Sequence, residues 1–335
     1  MLKFYRMREE RIMPNKKLPS ISVVIPVFNG TNYLREAIDS VLRQTYNNYE
    51  IIVVDDGSTD ETWSLIQSYG SKVRGIRQEN RGVAGALNNG IRNSNSDYVS
   101  WLSHDDLFLP DKLQHQIEFL LQNNEFAACY TDYYEVDKFG NIVRSIESPW
   151  YPRERAMWVL FGQGYINGST MLINRNCFKK IGWFSEELRY TQDVEMWIRM
   201  LRRFSIGRVP EKLGKLRTHP GQGSVNVEKH NAEKQAMFKK IFHDFIEDGL
   251  FPVTTTGTAE RMSHAYEWLG DTMWRYRRWY DFADAQYGQS ISIWPNWRNT
   301  ARIKRVINAT QRKILPHYRK IRRVVQMAIP RLILL

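Results

Sequence analysis

YVSWLSHDD, residues 98–106 of the chain, passes from β-branched and aromatic side chains to two adjacent carboxylates. This pattern predicts a buried strand whose carboxyl end opens into a loop that carries Asp105 and Asp106. In open α/β sheets, ligands bind at the carboxyl ends of the strands. Two neighbouring carboxylates are costly to bury without a positive partner, and a hard divalent cation bound to a phosphate would provide one. We therefore predict a cation site at this end of the strand.

The same two carboxylates have an alternative interpretation as a helix cap. Pro110 follows them closely, and proline favours the first turn of a helix. Asp106 or Asp111 could then cap that helix. Because Asp111 can serve the helix end by itself, the sequence favours the cation site.

Upstream of this stretch, apolar runs alternate with amphipathic segments. The runs are nearly continuous in apolar residues, which is typical of parallel strands that are covered on both faces. The alternation predicts an α/β fold: a Rossmann-like nucleotide-binding domain with a mixed, mostly parallel central sheet. The predicted strands are residues 21–27, 50–54, 73–77 and 97–102, and the predicted helices between them are residues 33–43, 61–69 and 83–92.

Polar loops follow three of these strands. Asn29 comes after the first strand, Asp55 and Asp56 come after the second, and Asp105 and Asp106 come after the fourth. Because the carboxyl ends of parallel strands share one edge of the sheet, a nucleotide laid across that edge would contact all three loops.

The first two loops are the predicted site for the nucleobase. Asp56 can accept a hydrogen bond from the imide N–H of uracil or thymine. Pro26, Val27 and Phe28 would line the pocket for the ring. Asp55 could equally serve as a turn residue.

Positive charge is concentrated near the C-terminus. The net charge of +12 arises in residues 285–335, which contain eleven Lys or Arg and no Asp or Glu. The other residues carry 37 basic and 36 acidic side chains, which excludes a nucleic-acid-binding surface over the whole protein. Residues 299–335 interleave basic side chains with Ile and Val, which predicts an amphipathic tail on an anionic membrane surface. Packing of that tail on the protein itself or on a second subunit stays an open alternative, and so does the oligomeric state.

Other features concern the compartment. Cys129 and Cys177 are too few for a disulfide framework, and the first twenty residues are too charged for a signal peptide. No run reaches the roughly 20 apolar residues that a membrane span needs. The sequence therefore predicts a cytoplasmic protein, which the tail would hold at the inner face of the membrane.

Further along the chain, the sequence predicts a short edge strand at residues 206–209 and, after a change of character beyond residue 213, helices at residues 228–248 and 258–290. Trp268-Leu269-Gly270 with Ala283, Tyr287 and Pro295 resembles a single tetratricopeptide-like helical hairpin. The predicted regions are a lead-in at residues 1–19, a catalytic domain at 20–225, a helical region at 226–297 and the basic tail at 298–335.

Several motifs occur in a fixed order. They are residues 21–29 (ISVVIPVFN), 53–60 (VVDDGSTD), 80–82 (NRG) with Asn88, 103–106 (SHDD), 184–188 (FSEEL) followed by 192–197 (QDVEMW), and 217–219 (RTH). The ordered set resembles a family 2 glycosyltransferase of the GT-A fold, of the bacterial, non-processive type, over residues 20–225. The resemblance implies a hexosyltransferase that uses a nucleotide-sugar donor.

Two positions depart from the family pattern. Ser103 stands where the metal motif usually begins with an acidic residue, and Gln192 stands where the acceptor motif often has Glu. Neither change removes the carboxylate that the chemistry most needs. The Gln-x-x-Arg-Trp element of processive synthases is absent from the sequence, which favours the addition of one or a few sugars.

The resemblance also implies roles for single residues. Asp106 would be the direct ligand of Mn²⁺ or Mg²⁺, Asp105 would hold the donor ribose or a water on the metal, and His219 would be a further ligand. Taken alone, His219 fits a structural histidine equally well. Further donor contacts are implied for Arg81, Gly82 and Asn88, although an arginine in a loop is also typical of a solvated side chain.

Asp193 is the implied general base of an inverting reaction. It lies at the start of a predicted amphipathic helix, where a carboxylate is stabilised as the anion. A capping role is compatible with catalysis, because the base must be ionised before it accepts a proton. The neighbouring Glu195 is expected to face solvent.

The resulting functional prediction is transfer of a sugar, from a UDP-sugar in the first instance, to a saccharide or lipid-linked saccharide in cell-surface polysaccharide or glycan biosynthesis. Two alternatives stay open. Ser103 and Gln192 would fit a catalytically silent relative that only binds nucleotide sugar, and the basic tail would fit a membrane-surface binding protein. Few aromatic residues interrupt the tail, so nucleic acid is not an expected partner.

Overall fold

The structure is a computed structural model that divides into two compact units, residues 1–157 with 165–230 and residues 158–164 with 231–335. The residues that it describes are 18–162, 164–222, 227–247, 263, 266–267, 270–271, 280–293, 301 and 305.

The first half of the sheet in the first unit consists of four parallel strands in the order β3-β2-β1-β4. Every residue of β1 is buried, as expected for a central strand covered on both faces. This half confirms the strands and helices predicted from the sequence. Its elements are β1 (Ile21–Val27), α1 (Leu34–Leu42), β2 (Tyr49–Asp55), α2 (Thr62–Gln67), β3 (Arg74–Arg77), α3 (Gly82–Arg92) and β4 (Tyr98–Trp101).

The second half continues the same sheet in the order β4-β8-β6-β9-β5, with β7 paired to β6. Here β8 runs antiparallel to both β4 and β6, whereas β9 runs parallel to β6. The sheet is therefore mixed but mostly parallel. The elements are β5 (Leu107–Phe108), α4 (Lys112–Gln122), β6 (Phe126–Val136), β7 (Ile142–Ile146), α5 (Arg153–Gly162), β8 (Leu172–Asn174), α6 (Asn176–Ile181), α7 (Gln192–Leu201) and β9 (Ser205–Arg217).

The prediction of a short edge strand at residues 206–209 is wrong. Strand β9 has 13 residues and lies between β6 and β5. Its pairing with β6 passes from Thr131↔Val209 directly to Asp132↔Lys212, so Pro210 and Glu211 are accommodated in a bulge. Proline is tolerated at bulges because it has no N–H to offer the ladder. The strand therefore continues beyond Pro210 to Arg217.

Helices pack on the parallel strands through an apolar core. Ile21, Val23 and Ile25 of β1 are fully buried in one cluster with residues of α1 and α4. Full burial of such a side chain contributes about 1.5–3 kcal/mol. On α3, a Cβ added to Gly90 would come within 2.4 Å of Val24, so glycine lets this helix approach the sheet closely.

Helices also make up the described part of the second unit, which contains most of α8 (Val227–Glu247) and all of α9 (Tyr280–Ile293). The Oγ atoms of Ser263 and Ser290 are 2.9 Å apart, and the Tyr287 hydroxyl donates to Asp271 over 2.9 Å. A Cβ on Gly270 would come within 2.5 Å of the Tyr287 ring. The helical hairpin stays a prediction.

Other predictions for the C-terminal part cannot be compared with the fold. Trp268, Leu269 and Pro295 of the proposed hairpin lie outside the described residues, as does nearly all of the predicted tail at 299–335. Within the described part of the chain, no helix is both long and apolar enough to cross a bilayer.

Candidate active site

Asp106 lies in the loop after β4 and is held entirely by protein groups. Its Oδ1 atom accepts the backbone N–H of Arg217 over 2.9 Å, and its Oδ2 atom accepts the Ser169 hydroxyl over 2.6 Å. Burial and the adjacent Asp105 raise the pKa of Asp106 well above its usual range. Asp106 is 5% exposed. Its two hydrogen bonds join the loop to β9 and to the turn before β8.

Asp105 faces a different set of partners. Its Oδ2 atom lies 3.0 Å from Nε2 of His219 and accepts the Gln222 amide over 3.1 Å. Its backbone carbonyl accepts Nε–H of Arg217 over 3.0 Å. No described residue hydrogen-bonds to Oδ1 of Asp105, so this carboxylate, unlike Asp106, retains an oxygen for a ligand.

The metal prediction can be tested against these contacts. Among the described residues, no cluster of three or more His, Cys, Asp or Glu side chains is arranged to hold an ion. Asp105 and His219 supply a carboxylate oxygen and an imidazole nitrogen side by side, and Mg²⁺-type sites complete such partial sets with water and substrate phosphates. The residues therefore fit a metal that is shared with a diphosphate, with Asp105 better suited than Asp106 as the direct ligand.

The alternative that Asp106 or Asp111 caps the helix through its side chain is wrong. Helix α4 begins after Asp111, and no side-chain cap hydrogen bond forms there. The Asp111 carboxylate instead accepts the Thr45 hydroxyl over 2.9 Å. The Asp105 carboxylate instead contacts the loop after β9, and the Asp106 carboxylate accepts donors from β9 and from the turn before β8.

Asp56, the predicted nucleobase contact, is 3% exposed and sits at the N-terminus of α3. Its Oδ1 atom accepts the Gln78 amide over 2.7 Å and the backbone N–H of Arg81 over 2.8 Å, while Oδ2 accepts the Gly82 N–H over 2.7 Å. An anion in this position is favoured by the helix dipole and by unpaired N–H groups. The carboxylate is thus held firmly, and one lone pair of Oδ2 is left for a ligand.

The loop after β1 lies beside the loop after β2. Asn29 donates its backbone N–H to the Ser58 hydroxyl and accepts the Thr59 N–H through Oδ1, both over 2.9 Å. Its φ of 50° is a left-handed conformation, which asparagine tolerates better than most residues.

The three residues before Asn29 differ in exposure. Pro26 and Val27 are buried in β1, whereas Phe28 is 46% exposed at the carboxyl edge of the sheet. Phe28 therefore offers an exposed aromatic face at this edge, and the lining of a base pocket by Pro26 and Val27 stays a prediction.

Three predicted donor contacts lie at the start of α3 or within it, namely Arg81, Gly82 and Asn88. Two of them, Arg81 and Asn88, bond to the segment before α7. Arg81 donates to Oε2 of Glu186 over 2.6 Å. Asn88, only 1% exposed, donates to Oε1 of Glu186 and exchanges hydrogen bonds with the backbone of Phe184, each over 2.9 Å. The bond from Asn88 also lowers the pKa of Glu186. These bonds support a positioning role for Asn88, and a direct donor contact by this residue stays a prediction.

Helix α7 carries Asp193 in its first turn. Oδ1 of Asp193 accepts the N–H of Val194 over 2.7 Å, and the residue is partly exposed. The Phe184 ring packs edge-on against both Trp101 at the end of β4 and Trp197 of α7, with centroids 5.9 and 6.1 Å away. This aromatic contact brings α7 to the same end of the sheet as the Asp105 loop.

Glu195 is not solvated, contrary to the sequence-based expectation. Its two carboxylate oxygens accept Nε and Nη2 of Arg199 over 2.5 and 2.7 Å. Arg199 also donates to the carbonyls of Ile181 and Trp183, so the pair anchors the segment that precedes α7. An i, i+4 pair of this kind was visible in the sequence, but its backbone partners were not.

Sequence reasoning missed several residues of this site. Ser169 and Gln222 bind the two adjacent carboxylates, and Glu186 binds two of the predicted donor residues. Arg217 and Glu186 belong to recognised motifs, which pointed to the segments but not to these contacts. Ser169 has no local signal, because its partner lies 63 residues away in the chain.

Sequence relatives of this chain are glycosyltransferases. The family model for glycosyl transferase family 2 matches residues 22–182. A glycosyltransferase of Rickettsia typhi is 42% identical over 253 residues, covering 70% of this chain and 80% of the relative. One of Rickettsia felis is 40% identical over 237 residues, covering 69% of this chain, which spans only 39% of that relative's length. The chondroitin synthase of Escherichia coli is 26% identical over 206 residues, covering 59% of this chain and 29% of the synthase.

Solved structures share the fold. Staphylococcus aureus TarS 1-349 in complex with UDP-GlcNAc matches with a TM-score of 0.55 at 17% identity, over 90% of this chain and 92% of that one. The mannosyltransferase PcManGT from Pyrobaculum calidifontis, in complex with GDP-Man and Mn²⁺, matches with a TM-score of 0.51 at 16% identity, over 92% and 87%. The fold is therefore GT-A, as predicted from the sequence.

Proposed function

Because this chain belongs to glycosyl transferase family 2, we propose that it transfers a sugar from a UDP-sugar to a hydroxyl of a saccharide or lipid-linked saccharide, with metal dependence and inversion. That it is a glycosyltransferase follows from its relatives. The observation that carries the finer proposal is the Asp105–His219 pair, 3.0 Å apart at the carboxyl edge of the sheet, with one oxygen of Asp105 left for a ligand.

Donor binding is assigned to the first two loops. Asp56 has a remaining lone pair for the imide N–H of uracil, with Phe28 as an aromatic face and Asn29 joining the loops. A likeness to a structure with bound UDP-GlcNAc supports a UDP-sugar donor. Because another similar structure contains GDP-Man, the identity of the nucleobase is a question for experiment. Arg81, through its exposed guanidinium, would compensate charge on the donor diphosphate.

Asp105 and His219 would hold Mn²⁺ or Mg²⁺. The bound ion would supply Lewis-acid stabilisation of the departing diphosphate. A nitrogen ligand beside the carboxylate favours Mn²⁺, since Mg²⁺ prefers oxygen ligands. Asp106 keeps the loop in place through Ser169 and Arg217.

Asp193 is the proposed general base. Its carboxylate would take the proton of the acceptor hydroxyl while the acceptor oxygen bonds to the anomeric carbon and the bond to the diphosphate oxygen breaks. Attack opposite the leaving group inverts the anomeric configuration. The start of α7 stabilises the anion that this role requires, and the ring contacts of Phe184 support its nearness to the donor edge.

The acceptor class is supported by one relative's name and by no contact. The relative named chondroitin synthase favours a saccharide acceptor in polysaccharide or glycan assembly.

Membrane association through residues 299–335 stays a prediction from the sequence. Sedimentation with anionic liposomes, comparing the full chain with one that ends at Trp297, would test it, and equal recovery of both in the supernatant at low salt would contradict it.

The test of the function is a screen of nucleoside-diphosphate sugars for hydrolysis and transfer, with Mn²⁺, with Mg²⁺ and with EDTA. We expect turnover of a UDP-sugar that EDTA abolishes, and NMR of the product should show inversion. Full activity in EDTA would contradict the metal assignment. Metal-dependent UDP binding without turnover of any donor would identify the catalytically silent relative instead.

A further inference from the structure

The Tyr33 ring contacts the side chains of both Arg217 and His219. Its ring centroid is 5.0 Å from that of His219, with the planes tilted by 50°. The guanidinium carbon of Arg217 lies 4.4 Å from the Tyr33 centroid, within range for a cation–π interaction. One aromatic ring of the loop before α1 therefore contacts both the proposed metal ligand His219 and a buried cation.

Arg217 joins this ring to three other segments. Its Nε–H donates to the Asp105 carbonyl over 3.0 Å and its Nη1 to the Lys138 carbonyl over 3.0 Å. Its Nη2 donates to Oε2 of Glu36 in the first turn of α1 over 2.8 Å. The Arg217 side chain is 1% exposed, so these contacts must compensate a fully desolvated charge.

The geometry leaves His219 with few other restraints. Its Nε2 faces Asp105, and its Nδ1 accepts the backbone N–H of Gly221 over 3.2 Å. Outer groups that orient a metal ligand support metal binding, and losing a hydrogen-bonding one weakens the affinity about 10–100-fold. The Tyr33 ring contacts His219 from outside through packing, and Arg217 contacts the Asp105 loop through a hydrogen bond.

We propose that Tyr33 and Arg217, with Glu36 as the counter-charge, are positioning residues that hold His219 and the Asp105 loop in the arrangement that binds the metal. This inference rests on the proposed metal-dependent function. It makes α1 part of the metal site although α1 supplies no ligand. Substitutions in this cluster should weaken the affinity for Mn²⁺ and should change turnover little once Mn²⁺ is saturating.

The experiment is calorimetric titration of the full chain with Mn²⁺, alone and with UDP, on folded variants. Tyr33→Leu removes the ring and should weaken Mn²⁺ binding about 10–100-fold. Tyr33→Phe keeps the ring and should bind Mn²⁺ like the wild type. Arg217→Lys keeps a charge but loses the fork of donors, and should weaken binding by a similar factor.

Arg208→Lys is the matched control. Arg208 lies on the same strand β9 and pairs with Asp132 over 2.7 Å, away from Asp105 and His219 in its contacts. This variant should bind Mn²⁺ with wild-type affinity. If Arg217→Lys does not fold, Tyr33→Leu with Tyr33→Phe still decides the question.

Two failures can be distinguished. Wild-type chain that binds Mn²⁺ in neither titration would overturn the metal-dependent function and this inference together. Wild-type binding that Tyr33→Leu leaves unchanged would overturn the positioning role alone, and so would an equal loss in Tyr33→Leu and Arg208→Lys, because a loss shared with the control reports general destabilisation.

Discussion

The two halves of the sheet contribute to the site in different ways. In β1–β4, the polar residues come directly after the strand that positions them, as Asn29 follows β1 and Asp56 follows β2. In β5–β9, the contributors are Ser169 and Arg217, which bind Asp106 from 63 and 111 residues away in sequence. The first half thus carries the proposed donor loops, whereas the second half supplies the proposed ligand His219 and the proposed base Asp193 and determines which oxygens of the Asp105 loop are bound by protein donors.

This difference is clearest between Asp105 and Asp106. Both belong to one motif and both are at least nine-tenths buried. Both oxygens of Asp106 accept a donor from the second half, whereas His219 and Gln222 contact the same single oxygen of Asp105. Adjacent residues of one loop therefore have different partners, which come from segments far along the chain.

The largest expected effect concerns the second half alone. Asp193→Asn removes the proposed base but leaves both donor loops intact, so transfer should fall about 10²–10⁴-fold. UDP binding, measured by calorimetry, should stay near the wild-type value. Loss of UDP binding in a folded Asp193→Asn protein would move this residue to the donor side and would remove the division of roles between the halves. Glu195→Gln on the same helix, but paired with Arg199, is the control and should keep far more activity.

The next effect separates the two neighbouring carboxylates. Asp105→Asn should lower transfer about 10²–10³-fold, because it removes a charge that acts on the leaving group's metal. It should also abolish Mn²⁺-dependent UDP binding.

Asp106→Asn should act mainly on stability, because its partners Ser169 and Arg217 would lose a charged acceptor. Such a loss costs about 1–3 kcal/mol. Thermal unfolding beside Mn²⁺ titration of both variants makes the comparison. Weaker Mn²⁺ binding in Asp106→Asn than in Asp105→Asn would restore Asp106 as the direct ligand.

The sequence was most informative where structure is local. Strands β1 to β4 and their helices were predicted within a few residues, because continuous apolar runs and polar strand ends are properties of neighbouring residues. Because Asn29, Asp56 and Asp105 follow their strands closely in the chain, the sequence also placed them at the carboxyl edge of the sheet.

Long-range pairing explains what could not be predicted. The bulge at Pro210 hid the second part of β9, and with it the strand that delivers Arg217 to the Asp105 loop. The contacts of Ser169 and Gln222 depend on sheet order, which residue periodicity does not encode. The different partners of Asp105 and Asp106, on which the proposed choice of metal ligand rests, therefore needed the fold.

A smaller effect tests the first half. Asp56→Asn keeps the shape but weakens three charge-assisted hydrogen bonds, two of them from N–H groups at the start of α3. We expect UDP affinity to fall about 5–150-fold, equivalent to about 1–3 kcal/mol. Mn²⁺ binding without nucleotide should be unchanged, since the metal pair belongs to another loop. A matching loss of Mn²⁺ affinity would show that the two loops do not act separately.

The smallest expected effect concerns the stability contribution of Lys112, whose buried amine lies where the two halves of the sheet meet. Lys112 of α4 donates to Ser100 of β4 over 3.3 Å and to Gln116 over 2.7 Å, and Gln116 donates to the carbonyl of Thr170, which precedes β8. Lys112 is fully buried without a carboxylate partner among its hydrogen bonds, and burial lowers its pKa from 10.5 to about 7. Cys129 nearby stays a neutral thiol, because burial raises its pKa to about 12.

This shift makes stability depend on pH in a defined direction. Between the folded pKa of about 7 and the unfolded value of 10.5, the unfolded chain holds a proton that the folded chain has released. Stability should therefore rise with pH in that window, by at most about 1.4 kcal/mol per pH unit, and this contribution should be flat below it. In urea titrations between neutral and mildly alkaline pH, the difference in unfolding free energy between wild type and Lys112→Met should grow with pH, because other titrating groups cancel. The exposed control Lys179→Met should show no such trend. A pH-independent difference for Lys112→Met would mean that the Lys112 amine stays protonated in the folded protein.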